Sequence, residues 1–391
     1  MTSKFPQNKT WCSLLWDHLF VDPTGRVKPC CRFQGGNVPK EFNLNNAKLK
    51  DLFYSPWMEE LRTKSKAGEP IEGCRRCYEE QESGKKSLRE RYINNSDLPI
   101  EELVDMDQPK IRWVELAISN TCNLACRMCD SRYSSKWFDD EKAVLGRTLN
   151  DKKFSSMEIS DLDPFLDDLV HIKFTGGEPL VIKDHYKLID QLVERGQAKN
   201  IILNYSTNCT IKPKESLIES WKKFKTIEIA LSFDAKGPSA EYIRYPEKTE
   251  TIESTLDFFV ELEKRMPNLS LGLRSTISLL NIYDYPETSD WWLQRKDDKF
   301  YNPTHLTHPE FLSATVLKKE QKQLVSEKLP NHDYKTPKAK AIAEYMVNFM
   351  NSSDDSHRLK ELKNYIKILD ERREQSFSKT YPYFQSLFSD V

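Results

Sequence analysis

The sequence has no excess of charge of either sign and no long apolar segment. Its 59 lysines and arginines nearly equal its 60 aspartates and glutamates, so overall charge gives no reason to favour nucleic acid or an acidic membrane surface as partner. No apolar run reaches the ~18 residues that a membrane-spanning helix needs. The opening residues lack the charged start and continuous apolar core of a secretory signal. We therefore predict a cytoplasmic protein, in which clustered cysteines bind metal more often than they form disulfides.

The sequence also has no internal repeat and no long low-complexity stretch, which excludes solenoids and propellers. From about residue 110, β-branched apolar runs alternate with segments of helical spacing, a pattern typical of parallel strands joined by helical crossovers. The predicted strands are 111–119, 170–176, 201–208, 226–234 and 269–279, and the predicted helices include 185–196 and 250–265. Residues 338–375 have the pattern of two further helices, separated near 351–356. The chain is therefore predicted to hold an α/β sheet or barrel followed by C-terminal helices.

Three of the nine cysteines lie within eight residues of one another, directly after the first predicted strand of the α/β region. Cys122, Cys126 and Cys129 have the spacing C-x3-C-x2-C. Thiolates are soft ligands that suit zinc or iron–sulfur clusters, and a site that performs chemistry leaves one position open. Three thiolates therefore indicate a four-iron cluster whose fourth iron is free to bind another group. The alternative is a zinc site completed by a distant residue such as Cys209.

The segment CNLACRMC, followed about 45 residues later by TGGEP (175–179), resembles the radical S-adenosylmethionine (SAM) enzyme superfamily. The resemblance implies that the three cysteines hold a [4Fe–4S] cluster and that the methionine moiety of SAM chelates the open iron. It also implies one-electron cleavage of SAM and abstraction of a hydrogen atom from a substrate. In such chemistry the protein positions and shields the cofactor.

Further polar and glycine residues at predicted strand ends match the family's SAM contacts. Two adjacent glycines end the second strand, where the missing side chains let backbone groups approach a ligand closely. By resemblance, this segment meets the methionine amino group, and later strand ends meet the ribose hydroxyls or the methionine carboxylate. Arg274 is a rival of Arg244 for that carboxylate, and either arginine could instead form a surface ion pair. The predicted contacts are Gly176, Gly177, Glu178, Ser206, Asn208, Ser232, Asp234 and Arg244.

The N-terminal region contains a second group of cysteines. Cys12 and Cys30 lie on a hairpin-like element and Cys74 and Cys77 on a C-x2-C turn, so the four thiols can converge on one site. A zinc ribbon is one interpretation of this cysteine pattern. The pattern also resembles the twitch domain, a shortened SPASM domain, and the resemblance implies an auxiliary [4Fe–4S] cluster with these four ligands. Consecutive residues of an extended segment point in opposite directions, so the neighbouring Cys31 is left over, and the choice between Cys30 and Cys31 depends on the register.

These resemblances imply a partial (β/α)6 TIM-like barrel at 106–330, an N-terminal twitch-type domain at 1–105 and a helical extension at 331–391. The expected activity is reductive cleavage of SAM and hydrogen abstraction, leading to a net oxidation or cross-link of a peptide or small polar molecule. Reduced flavodoxin or ferredoxin is the expected electron donor. The alternatives are a radical SAM enzyme that modifies RNA or nucleotides, and a non-catalytic scaffold protein that binds zinc.

Overall fold

A computed structural model describes residues 9–82, 86–95, 108–146, 159–297, 301 and 303–388 of the 391-residue chain. The strands are β1 (His18–Val21), β2 (Val27–Lys28), β3 (Trp113–Leu116), β4 (His171–Phe174), β5 (Ile202–Thr207), β6 (Thr226–Ser232), β7 (Leu269–Arg274), β8 (Thr276–Ile277) and β9 (Thr304–His305). The α-helices are α1 (Leu14–Asp17), α2 (Leu49–Phe53), α3 (Pro56–Ala67), α4 (Arg75–Glu82), α5 (Leu88–Asn95), α6 (Phe138–Leu145), α7 (Lys183–Glu194), α8 (Glu215–Trp221), α9 (Pro238–Ile243), α10 (Thr249–Arg265), α11 (Tyr285–Leu293), α12 (Lys319–Asn331), α13 (Pro337–Met350), α14 (Leu359–Arg373) and α15 (Phe377–Thr380).

The predicted α/β class is confirmed, because a strand forms within each of the five predicted segments and helices fill the intervals. The last predicted strand is divided at Ser275 into β7 and β8. The two C-terminal helices are also confirmed as α13 and α14, which are separated at residues 351–358. The predicted boundary between residues 105 and 106 lies outside the described residues. Within the described part of the chain, no helix has both the length and the apolar character needed to cross a membrane.

The chain divides into two compact units. The first comprises residues 1–120, 152–204 and 216–226, and the second comprises 121–151, 205–215 and 227–391. In the first unit β1 pairs antiparallel with β2 and parallel with β3, and β3 pairs parallel with β4. The N-terminal segment between Cys12 and Cys30 thus supplies a strand of the same sheet as the first α/β strand.

The two faces of this sheet differ in chemistry, since side chains alternate along a strand. One face is apolar and buried: Val114, Leu116, Ile172 and Phe174 are at most 1% exposed. The opposite face combines aromatic rings, including Trp113 and Phe20, with charged side chains. It carries the rows His18–Trp113–His171 and Phe20–Glu115–Lys173, which are aligned by the strand register. The Glu115 carboxylate accepts a 2.6 Å bond from the half-buried Lys173, so the charge of the buried carboxylate is balanced.

In the second unit β6 and β7 form a parallel pair in which Ile227 lies opposite Leu269 and Ser232 opposite Arg274. Helix α10 packs on β7, and α14 packs on α6. Helix α13 begins at a Thr336 side chain that accepts a bond from Ala339 N, with proline at the first helical position. Strands and helices of the second unit thus pack on one another.

Burial of His185, at the start of α7, predicts acid sensitivity. Its ring is 0% exposed and packs edge-on against Phe174, and burial alone lowers its pKa to about 3. An unfolded chain takes up the proton below about pH 6.5 and the folded chain does not, so stability falls as pH drops from about 6.5 toward 3. In urea titrations across this range, His185→Gln should lower the slope of unfolding free energy by up to about 1.4 kcal/mol per pH unit. The exposed His357→Gln should track the wild type, and equal slopes for all three chains would contradict the prediction.

Candidate iron–sulfur sites

The predicted trio lies on one loop after β3, and its cysteines interact. Cys129 N donates to Cys126 O at 2.9 Å, and Leu124 N lies 3.5 Å from Cys122 Sγ. Burial raises the pKa of Cys126 to about 11, with Arg244 opposing the rise and Cys122 adding to it. Burial also raises the pKa of Cys129, and Cys126 raises it further. Because metal ligation requires thiolates, cluster binding would release protons from this loop.

Backbone hydrogen bonds fix the loop in place. Ala125 N donates to Tyr245 O at 2.7 Å, and Arg127 N donates to Ile243 O at 2.8 Å. The indole Nε1 of Trp137 donates to Cys126 O at 2.8 Å. Although the loop has no regular secondary structure, its central cysteine, Cys126, thus has a fixed backbone neighbour on each side.

Of the predicted ribose contacts, Asn208 lies beside this loop. Its amide donates to Asn123 Oδ1 at 2.8 Å, and its Nδ2 lies 3.8 Å from Cys122 Sγ. Ser206 and Ser232 are half-buried and lie near the end of β5 and at the end of β6. The structure therefore places Asn208 next to a cysteine of the trio, and the SAM contacts of Asn208 and of the two serines all stay predictions.

Asp234 and Arg244 form a buried ion pair with a 2.8 Å contact. Asp234 also accepts a 2.7 Å bond from Thr276 N, which fixes its orientation. Burial opposes the charge on Arg244, but Asp234 and then Cys126 outweigh it and raise the pKa of this arginine. Among the described residues, nothing accepts a hydrogen bond from the buried Nε of Arg244. An unsatisfied buried donor beside Cys126 suits a carboxylate ligand. Arg274, the other candidate for the SAM carboxylate, is exposed.

The glycine pair after β4 allows close packing against the segment that follows β3. Gly176 has φ +100°, and a Cβ there would lie 2.7 Å from Ala117 Cβ and 2.9 Å from its Cα. Gly177 N donates to Ser119 O at 3.1 Å. Glu178 is fully buried and accepts a bond from Leu180 N. We expected these glycines to admit a ligand; the structure adds that Gly176 lets the ends of β3 and β4 approach each other.

Gly176→Ala should therefore destabilise the chain by about 2–4 kcal/mol, since it combines a left-handed backbone conformation with overlap against Ala117. The matched control is Gly196→Ala, where φ is +69° and no atom lies within 4 Å of the added Cβ. That control should cost only about 1–2 kcal/mol, which is the cost of the conformation alone. Chemical denaturation of the three metal-free chains measures the difference. Equal losses for the two variants would remove the steric argument.

The four N-terminal cysteines lie close together in the structure. Cys12, Cys30, Cys74 and Cys77 line one small cavity, together with Tyr78 and Arg89 among others. Burial raises the pKa of Cys12, and Cys74 and Cys77 raise it further while Arg89 opposes them. Burial likewise raises the pKa of Cys30, and Cys31, then Cys12 and Cys77, raise it further. Four soft donors around one cavity fit an iron–sulfur cluster with no open iron.

Cys31 faces away from this cavity. Its thiol bonds to the Glu115 carboxylate, which is paired with Lys173, and burial first and Glu115 next raise its pKa to about 12. Cys30 and Cys31 thus point to opposite sides of their segment. Our sequence reasoning missed Glu115 and Lys173. Their signal was a charged residue at the same point of two consecutive apolar strands, WVEL and HIKF.

In the described part of the chain, no three His, Cys, Asp or Glu side chains are placed to hold a single metal ion. A four-iron cluster distributes its thiolates over different irons, so its ligands lie farther apart than those of one ion. Both cysteine groups therefore fit a cluster by donor type and number.

Comparisons with known proteins match both regions. The Radical SAM superfamily model matches residues 116–283, and the SPASM iron–sulfur cluster-binding domain model matches residues 12–78. A 7-carboxy-7-deazaguanine synthase of Thermoplasma acidophilum is 26% identical over 161 residues, 38% of this chain and 65% of that protein. The radical SAM cyclopropyl synthase TigE of Paramaledivibacter caminithermalis is 27% identical over 190 residues, 45% of this chain and 37% of that protein. The chain thus spans less than two thirds of either relative.

Two solved structures show weaker similarity. One is anSMEcpe with bound AdoMet, with a TM-score of 0.40, 18% identity and 57% coverage of each chain. The other is Streptococcus suis SuiB bound to S-adenosylmethionine, with a TM-score of 0.39, 14% identity, and coverage of 72% of this chain and 59% of that one.

Proposed function

Because this chain belongs to the radical SAM superfamily and carries a SPASM-type iron–sulfur domain before its radical SAM region, we propose that it oxidises or cross-links a peptide or small polar molecule. Its cofactors are a SAM-binding [4Fe–4S] cluster, an auxiliary cluster and SAM. When bound, these groups supply one-electron cleavage of the C5′–S bond of SAM and removal of a hydrogen atom from the substrate. We retain three domains, 1–105, 106–330 and 331–391, as part of the proposal.

The observation that carries the proposal is the loop of Cys122, Cys126 and Cys129 with Arg244 beside its central cysteine. We assign the three thiolates to the cluster with the open iron. The buried Nε of Arg244, which lacks an acceptor among the described residues, is assigned to the SAM carboxylate. Asp234 would hold the guanidinium in position while Nε remains available.

The four-cysteine cavity supports an oxidation. We assign Cys12, Cys30, Cys74 and Cys77 to the auxiliary cluster, and a cluster with four protein ligands transfers electrons without binding substrate. It would accept the electron that the substrate radical loses after hydrogen-atom abstraction, which completes a two-electron oxidation. A reduced flavodoxin or ferredoxin in the cytoplasm would supply the separate electron that reduces the SAM-binding cluster.

A second candidate is modification of a nucleotide-derived molecule, favoured by the similarity to a 7-carboxy-7-deazaguanine synthase over 161 residues. The balanced charge of 59 basic and 60 acidic residues gives it no support as an RNA-binding activity. A small nucleobase remains compatible with this balance. Product analysis with candidate bases against candidate peptides would separate the two.

The experiment is anaerobic reconstitution with iron and sulfide, followed by dithionite and SAM and chromatographic assay of 5′-deoxyadenosine. The expected result is a brown protein with about eight irons per chain that forms 5′-deoxyadenosine. A colourless protein that binds zinc and leaves SAM intact would instead support the scaffold alternative.

A further inference from the structure

Arg127, between two cysteines of the trio, has a fully buried side chain that leads to the C-terminal part of the protein. Its Nη2 bonds to Asp370 Oδ1 at 2.6 Å and to Gln375 Oε1 at 3.0 Å. Its guanidinium lies 3.6 Å from the Tyr242 ring, and its Nε donates to Tyr242 O at 2.9 Å. The cation is thus held by a carboxylate 243 residues away in sequence.

The same C-terminal helix contacts the loop backbone. The Tyr365 hydroxyl donates to Arg127 O, while Arg127 N donates to Ile243 O. Both backbone polar groups of Arg127 are therefore fixed, one by α14 and the other by the end of α9. Tyr365 is buried, so this bond is shielded from water.

A second contact lies at the end of α14. Arg373 donates from Nε and Nη2 to Asp140 Oδ2 at 3.0 and 2.9 Å, and Arg372 donates to Oδ1 at 2.7 Å. The Arg373 guanidinium lies 5.1 Å from the Trp137 ring, whose Nε1 donates to Cys126 O. A chain of contacts therefore runs from α14 to the carbonyl of the central cysteine.

These contacts with α14 add to the backbone bonds that the loop makes with Tyr245 and Ile243. The loop lacks secondary structure, and a buried guanidinium is stable only while its carboxylate partner is present. Residues 359–388 lie beyond both family matches, which end at 78 and 283. Neither match accounts for them.

We propose that the C-terminal segment 359–388 holds the cysteine loop in its cluster-binding conformation, with Arg127 and Asp370 as positioning residues. The inference rests on the proposed function. The Arg127–Asp370 pair also sets the charge near the trio. Loss of the cation leaves a negative charge near an anionic cluster, and loss of the carboxylate leaves a positive one. The two losses should move the reduction potential of the cluster in opposite directions.

The first test uses metal-free protein and needs no cluster. In Asp370→Asn and Tyr365→Phe, amide hydrogen exchange over residues 121–137 should be about tenfold faster or more, because Arg127 loses a contact with α14. The backbone bonds of the loop amides, including those of Ala125, Arg127 and Cys129, should then open more often. The control is Glu371→Gln, which removes a charge from an exposed side chain on the same helix. Tyr365→Phe removes only a hydroxyl and keeps the core filled. Exchange equal to the control in both variants would overturn the proposal.

The second test is a redox titration of reconstituted protein by electron paramagnetic resonance. It follows the signal that changes when SAM is added, which identifies the cluster with the open iron. Arg127→Gln should lower its midpoint potential and Asp370→Asn should raise it, with Glu371→Gln unchanged. Shifts of the midpoint potential in the same direction in both variants would contradict an electrostatic effect of the Arg127–Asp370 pair on the cluster. If no wild-type signal changes when SAM is added, the proposed function is contradicted instead. The hydrogen-exchange result on metal-free protein does not depend on that outcome.

Discussion

Cys126→Ala should abolish formation of 5′-deoxyadenosine and lower bound iron from about eight to about four per chain. The half-buried side chain contributes little to the core, so the chain should remain folded, whereas chelation of SAM depends on an intact cluster. Cys122→Ala and Cys129→Ala should behave alike. Iron analysis and the assay after anaerobic reconstitution measure both effects.

Cys209 is the matched control, since it is fully buried and is the residue that would complete a zinc site with the trio. Cys209→Ala should keep about eight irons and continue to form 5′-deoxyadenosine. Loss of metal in Cys209→Ala would favour the zinc alternative. Cleavage at the wild-type rate in Cys126→Ala would remove the trio from its assigned role.

Cys30→Ala should lose the auxiliary cluster and leave about four irons per chain, because its thiol is one of the four that line the N-terminal cavity. The trio remains intact, so the variant should still cleave SAM without substrate but fail to complete an oxidation. Cys31→Ala should keep both clusters and cost about 1 kcal/mol for the lost bond to Glu115. The measurements are iron content, uncoupled 5′-deoxyadenosine formation and chemical denaturation. The opposite pattern would place the auxiliary ligand one residue later than assigned.

The strands of the α/β region could be predicted from the sequence because their apolar, β-branched runs are local signals. Strand β1 could not, since its four residues follow directly on the short helix α1 and the sequence indicated only a hairpin-like element there. Its parallel pairing with β3 is a contact across more than 90 residues. No periodicity within HLFV indicates such a partner.

The same limit applies to the sites. Cysteine spacing is local, so both cysteine groups could be read directly from the sequence. The pair Glu115–Lys173 depends on strand register, and Arg127–Asp370 depends on the packing of α14. Asp234 and Arg244 were each assigned to SAM separately, and the structure pairs them with each other. A charged residue within an apolar strand marks Glu115 and Lys173 as candidates, but only the strand register pairs them with each other.

The pairing of β1 with β3 has a consequence for attempts to isolate the radical SAM region. A chain cut to begin after residue 105 would lose β1 and expose the edge of β3 as a row of unpaired amide and carbonyl groups. Exposed edges of this kind template association with other chains. Such a fragment should therefore aggregate even with its trio of cysteines intact. The N-terminal region, which carries the four proposed auxiliary-cluster ligands, therefore also covers the edge of β3.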